Sequence, residues 1–280
     1  MTIRSITAIS LAAATLLVSG GVHAQVRSWN FGDTTSPGSC PTGGTGPIAS
    51  TFGNVLQCST VSPSSTTTSL EVRAFSSTAI NSSGSTVTSS GTAGTHFETA
   101  AVNYHGTGSG IGVANQFEGA NVTGQPNHAM DNSTPGVDLL LMNFIGIGSQ
   151  ILKQVTIGWG GTDTDFQVLR WVGSSAAPTS IAGIEATSLL GTGWELVQTV
   201  NGTGAGTYSV NAGNATSSAW IVTAFNSHFG GSSTATSGTD AIKLLGISTG
   251  LPGGSVSAPG TLALAGLGLL GAAFLRRRVG

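Results

Sequence analysis

From residue 95 onward the apolar residues fall in short runs, at 137–144, 151–159, 166–172, 194–200, 207–211, 219–225 and 241–247, with Gly, Asn, Asp or Pro between them. One earlier run, 70–75, has the same character. Several runs alternate. In an extended chain Val155, Ile157 and Trp159 share one face, as do Trp194, Leu196, Gln198 and Val200, because successive side chains on a strand point to opposite sides. No ten-residue stretch carries the amphipathic period of a surface helix. Many short runs with turn residues between them predict an all-β fold, an antiparallel β-sandwich or jelly roll.

The two ends break this pattern. Residues 1–24 hold Arg4, an apolar run over 6–18 and the small-x-small triplet Val22-His23-Ala24. That is the layout of a cleavable signal peptide, with Gln25 as the new N-terminus. The run is too short to span about 30 Å of hydrocarbon. At the other end a Pro/Gly/Ser linker leads through Val256-Ser257-Ala258-Pro259-Gly260 into an apolar stretch over 261–275, closed by Arg276-Arg277-Arg278. A buried core helix of that length would show a polar face, and this one has none. The three arginines, whose stems can snorkel, fit a short membrane helix with its end held in the cytoplasm. The chain thus divides into a signal peptide (1–24), a β-sandwich body (25–249), a linker (250–256) and a transmembrane tail (257–280).

Composition narrows the class. Charged residues make up 7% and hydrophobic residues 39% of the 280, enough apolar side chain for a core and too little charge for a disordered tail. Between Gln25 and Ser257 five basic residues face eleven acidic ones, a net charge of −6. Such a surface repels a nucleic-acid backbone. In an oxidising compartment the two cysteines, Cys40 and Cys58, predict one disulfide; neither has the spacing of a zinc site.

Candidate chemistry is sparse. Gly246-Ile247-Ser248-Thr249-Gly250 spells a nucleophile elbow, but Leu251-Pro252-Gly253 follows where that motif needs a helix. His96, His105, His128 and His228 show no metal-binding spacing. Asp131, Asn132 and Asp138 precede one predicted strand and Asp163 and Asp165 another, so their carboxylates could converge on a Ca²⁺ ion; the competing reading is that they cap turns.

The tail resembles the PEP-CTERM sorting signal of exosortase-dependent surface proteins, in which a Pro-containing motif precedes a Leu/Gly-rich helix and an Arg cluster. Here Val256-Ser257-Ala258-Pro259 keeps the final Pro and has Ala258 where the signal's Glu stands. The stretches 128–171, 219–222 and 240–245 also look like the bodies of such proteins. The resemblance implies export through signal peptidase to the envelope or outer surface of a Gram-negative bacterium, attachment to the membrane through the C-terminal helix, and cutting near Ser257–Gly260 by an exosortase-type enzyme. The reading that follows is a non-enzymatic surface or extracellular-matrix protein, with exopolysaccharide a candidate partner. The alternative is a carbohydrate-binding β-sandwich module, calcium-dependent in one form, using exposed aromatics among Trp29, Trp159, Trp171, Trp194 and Trp220.

Overall fold

Runs rich in Val, Ile, Leu and Thr and interrupted by Gly pack best on a pleated surface, and the described residues are mostly strand. The computed structural model describes residues 26–32, 40, 51–62, 65–77, 96–115, 129–132, 137–232 and 239–252. The expected signal peptide and the tail, with Val256, Ser257, Ala258, Pro259, Gly260, Arg276, Arg277 and Arg278, lie outside these residues. No helix among the described residues is long and apolar enough to cross a membrane.

The strands in chain order are β1 (Val26–Asn30), β2 (Val55–Ser62), β3 (Ser65–Ser77), β4 (Glu98–Thr99), β5 (Ala101–Tyr104), β6 (Ile111–Ala114), β7 (Met130–Asp131), β8 (Val137–Phe144), β9 (Ile151–Gly160), β10 (Phe166–Trp171), β11 (Trp194–Val200), β12 (Gly206–Ser209), β13 (Ala219–Ala224) and β14 (Ala241–Gly250). They form two sheets. One runs β12-β9-β14-β6-β5, with β1 and β7 also paired to β14; the other runs β11-β10-β13-β8-β3-β2, with β4 on β3. The named strands all pair antiparallel, as in β8 with β3 and β13 and in β14 with β9. The fold is the expected all-β sandwich. The expected linker start, Gly250, is instead the last residue of β14.

Trp29, Ile111, Val155, Ile157, Ile242 and Leu244 from the first sheet meet Leu70, Val72, Leu140, Met142, Val168 and Trp220 from the second to form the core between the sheets. A second apolar layer covers the outer face of the second sheet. There the connection between β10 and β11, including a 3-10 helix over Ala186–Thr192, buries Ile181, Ala186 and Leu189 on Leu139, Leu141, Leu169, Trp194 and Ile221. Strand β8 is therefore buried on both faces, which explains why residues 137–144 read as a nearly unbroken apolar run.

Two expected alternations fail at irregularities in the ladder. The β9–β14 register shifts between Ile157 and Trp159. Val155 and Ile157 stay in the core, while the Trp159 ring lies beneath the Lys243 ammonium, 4.7 Å from its centroid. In β11 the register skips Val197, so Trp194 packs in the outer layer and Val200 in the core. An inserted residue reverses every later side chain.

Candidate functional site

The end of the sandwich where β14 begins gathers acidic side chains from well-separated parts of the chain. The carboxylates of Asp163, Asp165 and Asp240 lie within 4.8 Å of one another. Asp240 precedes β14, Asp165 precedes β10, and a short bridge joins Asp163 to Asp240. The Asp165 N–H donates to one Asp240 oxygen at 3.0 Å, and Asn132 Nδ2 donates to the other at 2.6 Å. Asn132 also accepts from the Asp240 N–H at 2.8 Å, which fixes the end of β7 to the start of β14. The Gly202 N–H donates to Asp165, and the Thr164 N–H to Asp163.

Of the five residues expected to converge, Asp163 and Asp165 join the trio and Asn132 reaches it through Asp240. Asp131, opposite Ala241 in β7, and Asp138, opposite Ser76 in β8, are buried but belong to no such group. Asp240 was not among the expected residues. It stands 75 positions from Asp165, so no local spacing announces it.

Burial, reinforced by the neighbouring charge of Asp163, pushes the Asp240 carboxyl up to about 7; the hydrogen bonds from Asn132 and Asp165 oppose that rise. Three carboxylates at this separation repel one another, and a proton or a divalent cation relieves the repulsion. Nearby on β14, burial pulls the Lys243 ammonium down to about 8.

The remaining candidates are spread through the fold. Cys40 and Cys58 form a disulfide within the inter-sheet core. The Gly246–Gly250 segment lies wholly inside β14, and Ser248 donates to Gln154 Oε1 at 3.0 Å; no strand-to-helix turn exposes its hydroxyl. His96 bridges Glu185, His228 Nε2 contacts the Thr187 carbonyl at 2.8 Å, and His128 lies outside the described residues. Trp29, Trp194 and Trp220 are buried, and the partly exposed Trp159 and Trp171 sit on different sheets.

The opposite end is where the body hands over to the tail. Val26 opens β1 directly opposite Gly250, the last residue of β14, and Gly250 also pairs with Ile151. Both ends of the body therefore leave from neighbouring strands at one end of the sandwich. At about 3.3 Å per residue, the nine steps of β14 put that end about 30 Å from the aspartates.

No curated protein and no solved structure matches the chain. One family model does, over residues 255–278, and on that match the chain carries a PEP-CTERM protein-sorting motif a few residues beyond the last described strand.

Proposed function

We propose that this is a non-enzymatic surface or extracellular-matrix protein of a Gram-negative bacterium, whose sandwich is displayed after an exosortase has cut the tail. The sorting motif at 255–278 carries the reading. The signal-peptide layout of residues 1–24 supports it, as does the position of the motif in the sequence, after the last described strand, β14. In this reading the apolar stretch holds the exported chain in the membrane, Arg276, Arg277 and Arg278 stop it there, and the segment around Ser257–Gly260 is cut.

The test is the intact mass of the protein recovered from membrane, cell surface and medium, with and without the processing enzyme. Beside it stand a tail-deleted chain, the Arg276/Arg277/Arg278→Ala variant, and Ala258→Glu, which restores the acidic residue of the signal. The reading expects loss of processing in the first two and faster processing in the third. Unchanged membrane retention and processing in the first two overturns it.

A calcium-dependent carbohydrate-binding module is the second reading, and the aspartate trio favours its calcium part. The burial of three of the five tryptophans counts against a sugar platform. Glycan binding that needs calcium would move the assignment to this reading.

A further inference from the structure

Four large apolar side chains are exposed among the described residues: Val26, Phe52, Ile145 and Val172. Three of them lie at the end where the chain departs for the tail. Val26 faces Gly250 across the β1–β14 pair. Ile145 follows the last residue of β8, and Val172 the last residue of β10. β8 and β10 flank β13, so their ends stand about 10 Å apart at the usual strand spacing. The two sheets are tied together at this same end, where Gln150 and Ser217 exchange backbone hydrogen bonds of 2.8 and 3.0 Å.

The loop after β8 reads Ile145-Gly146-Ile147-Gly148-Ser149. Gly146 and Gly148 have φ values of 67° and 68°, a left-handed backbone that glycine enters at no steric cost. The double turn sends Ile147 inward against the core and leaves Ile145 outside. The loops at this end, 145–149, 172–175 and 210–218, contain no charged residue. Lys153 reaches the last of them through Asn214, and the nearby acids Glu71 and Glu195 are paired with Arg73 and Arg170.

We infer that this end of the sandwich rests on a lipid surface, with Val26, Ile145 and Val172 entering the headgroup boundary and Lys153 facing anionic headgroups. The inference rests on the proposed membrane insertion of the tail. Thr261 opens the apolar stretch eleven residues after Gly250, so even a fully extended chain keeps this end within about 40 Å of it. Scattered exposed apolar residues need no explanation; three at the one end of the sandwich where β14 stops match the apolar and cationic face of an interfacial contact.

The test uses the chain with its tail, reconstituted in phosphatidylethanolamine–phosphatidylglycerol vesicles. A fluorophore is placed on Ile145→Cys or Val172→Cys, or on Thr162→Cys at the aspartate end, and shallow spin-labelled lipids serve as quencher. Flotation with the vesicles reports tail insertion separately. The expected result is flotation of all three, quenching several-fold stronger at 145 and 172 than at 162, and weaker quenching at 172 when Ile145→Asp is added. Flotation with equal or absent quenching at 145 and 172 overturns the lipid contact and leaves the sorting reading standing. Failure to float overturns both. Quenching that appears only when a membrane-embedded processing enzyme is added assigns this end to that protein and overturns the lipid assignment.

Discussion

Val26 stands directly opposite Gly250, so the first strand of the body closes against the last. β14 also pairs with β9, β6 and β7, which makes it the hub of its sheet. A chain that ends after Pro252 keeps every described strand and is expected to melt cooperatively. A chain that ends after Asp240 removes the strand against which β1, β6, β7 and β9 all pair, and is expected to lose that transition. Thermal melts followed by circular dichroism check both; a cooperative melt of the shorter chain would show that β14 is dispensable.

β1 is held by more than its ladder. Trp29 is 1% exposed, its ring lies 5.3 Å from that of Phe144, and its Nε1 donates to Ser69 Oγ at 3.3 Å. Trp29→Ala is expected to cost about 3–5 kcal/mol, the range for deleting a buried aromatic side chain. Chemical denaturation measures the loss.

The aspartate trio gives stability a pH dependence whose sign follows from Asp240. Its carboxyl sits at about 7 in the folded protein against an ordinary value of 3.8, so the folded state binds the extra proton between those values. The Asp240 contribution is full below pH 4 and is lost as pH rises to 7. Lys243 acts in the other direction. Its folded value of about 8 lies below the ordinary 10.5, so stability recovers as pH climbs through that window. Melting temperatures taken every half unit are expected to show a minimum near pH 7 to 8. Asp240→Asn is expected to flatten the acid side of that minimum and Lys243→Met the alkaline side; a variant curve parallel to that of the parent protein would remove the corresponding group from the account.

Cys40 and Cys58, 18 residues apart, are both fully buried. Closing a loop of that length stabilises by about 3 kcal/mol through the unfolded chain's lost freedom. Reduction, or the Cys40→Ala/Cys58→Ala variant, is expected to lower the unfolding free energy by that amount. Denaturation with and without reductant reads it directly.

The strands that sequence pattern located are those whose burial is written in consecutive residues: β8 and β11 begin and end where the apolar runs do. Strands β1 and β2 escape notice because their sequences, VRSWN and VLQCSTVS, mix polar residues with few apolar ones. Faces were legible only up to the first irregularity. Gly158 explains one failure: a Cβ there would lie 2.6 Å from the Gly108 carbonyl oxygen, so the turn between β5 and β6 dictates glycine and local distortion in β9. The aspartate trio was half visible, since Asp163 and Asp165 are neighbours in sequence while Asp240 arrives only through the pairing of β14.

The outer layer offers a test that separates it from the inter-sheet core. Leu189 is fully buried in that layer and absent from the core between the sheets, so Leu189→Ala is expected to cost about 2–5 kcal/mol. Amide hydrogen exchange is expected to show lost protection in residues 177–192 before β9 or β14. Two glycines in the same segment sharpen the point. Gly193 has φ 102°, and a Cβ there would lie 2.7 Å from the Trp171 ring, whereas Gly191 has nothing within 4 Å. Gly193→Ala therefore combines backbone strain with a clash against an aromatic ring and is expected to destabilise by more than about 1 kcal/mol, while Gly191→Ala is expected to be neutral or to stabilise by about 0.5 kcal/mol. Equal effects from the two would mean that the segment does not hold Trp171 in place and that the layer is less ordered than its burial implies.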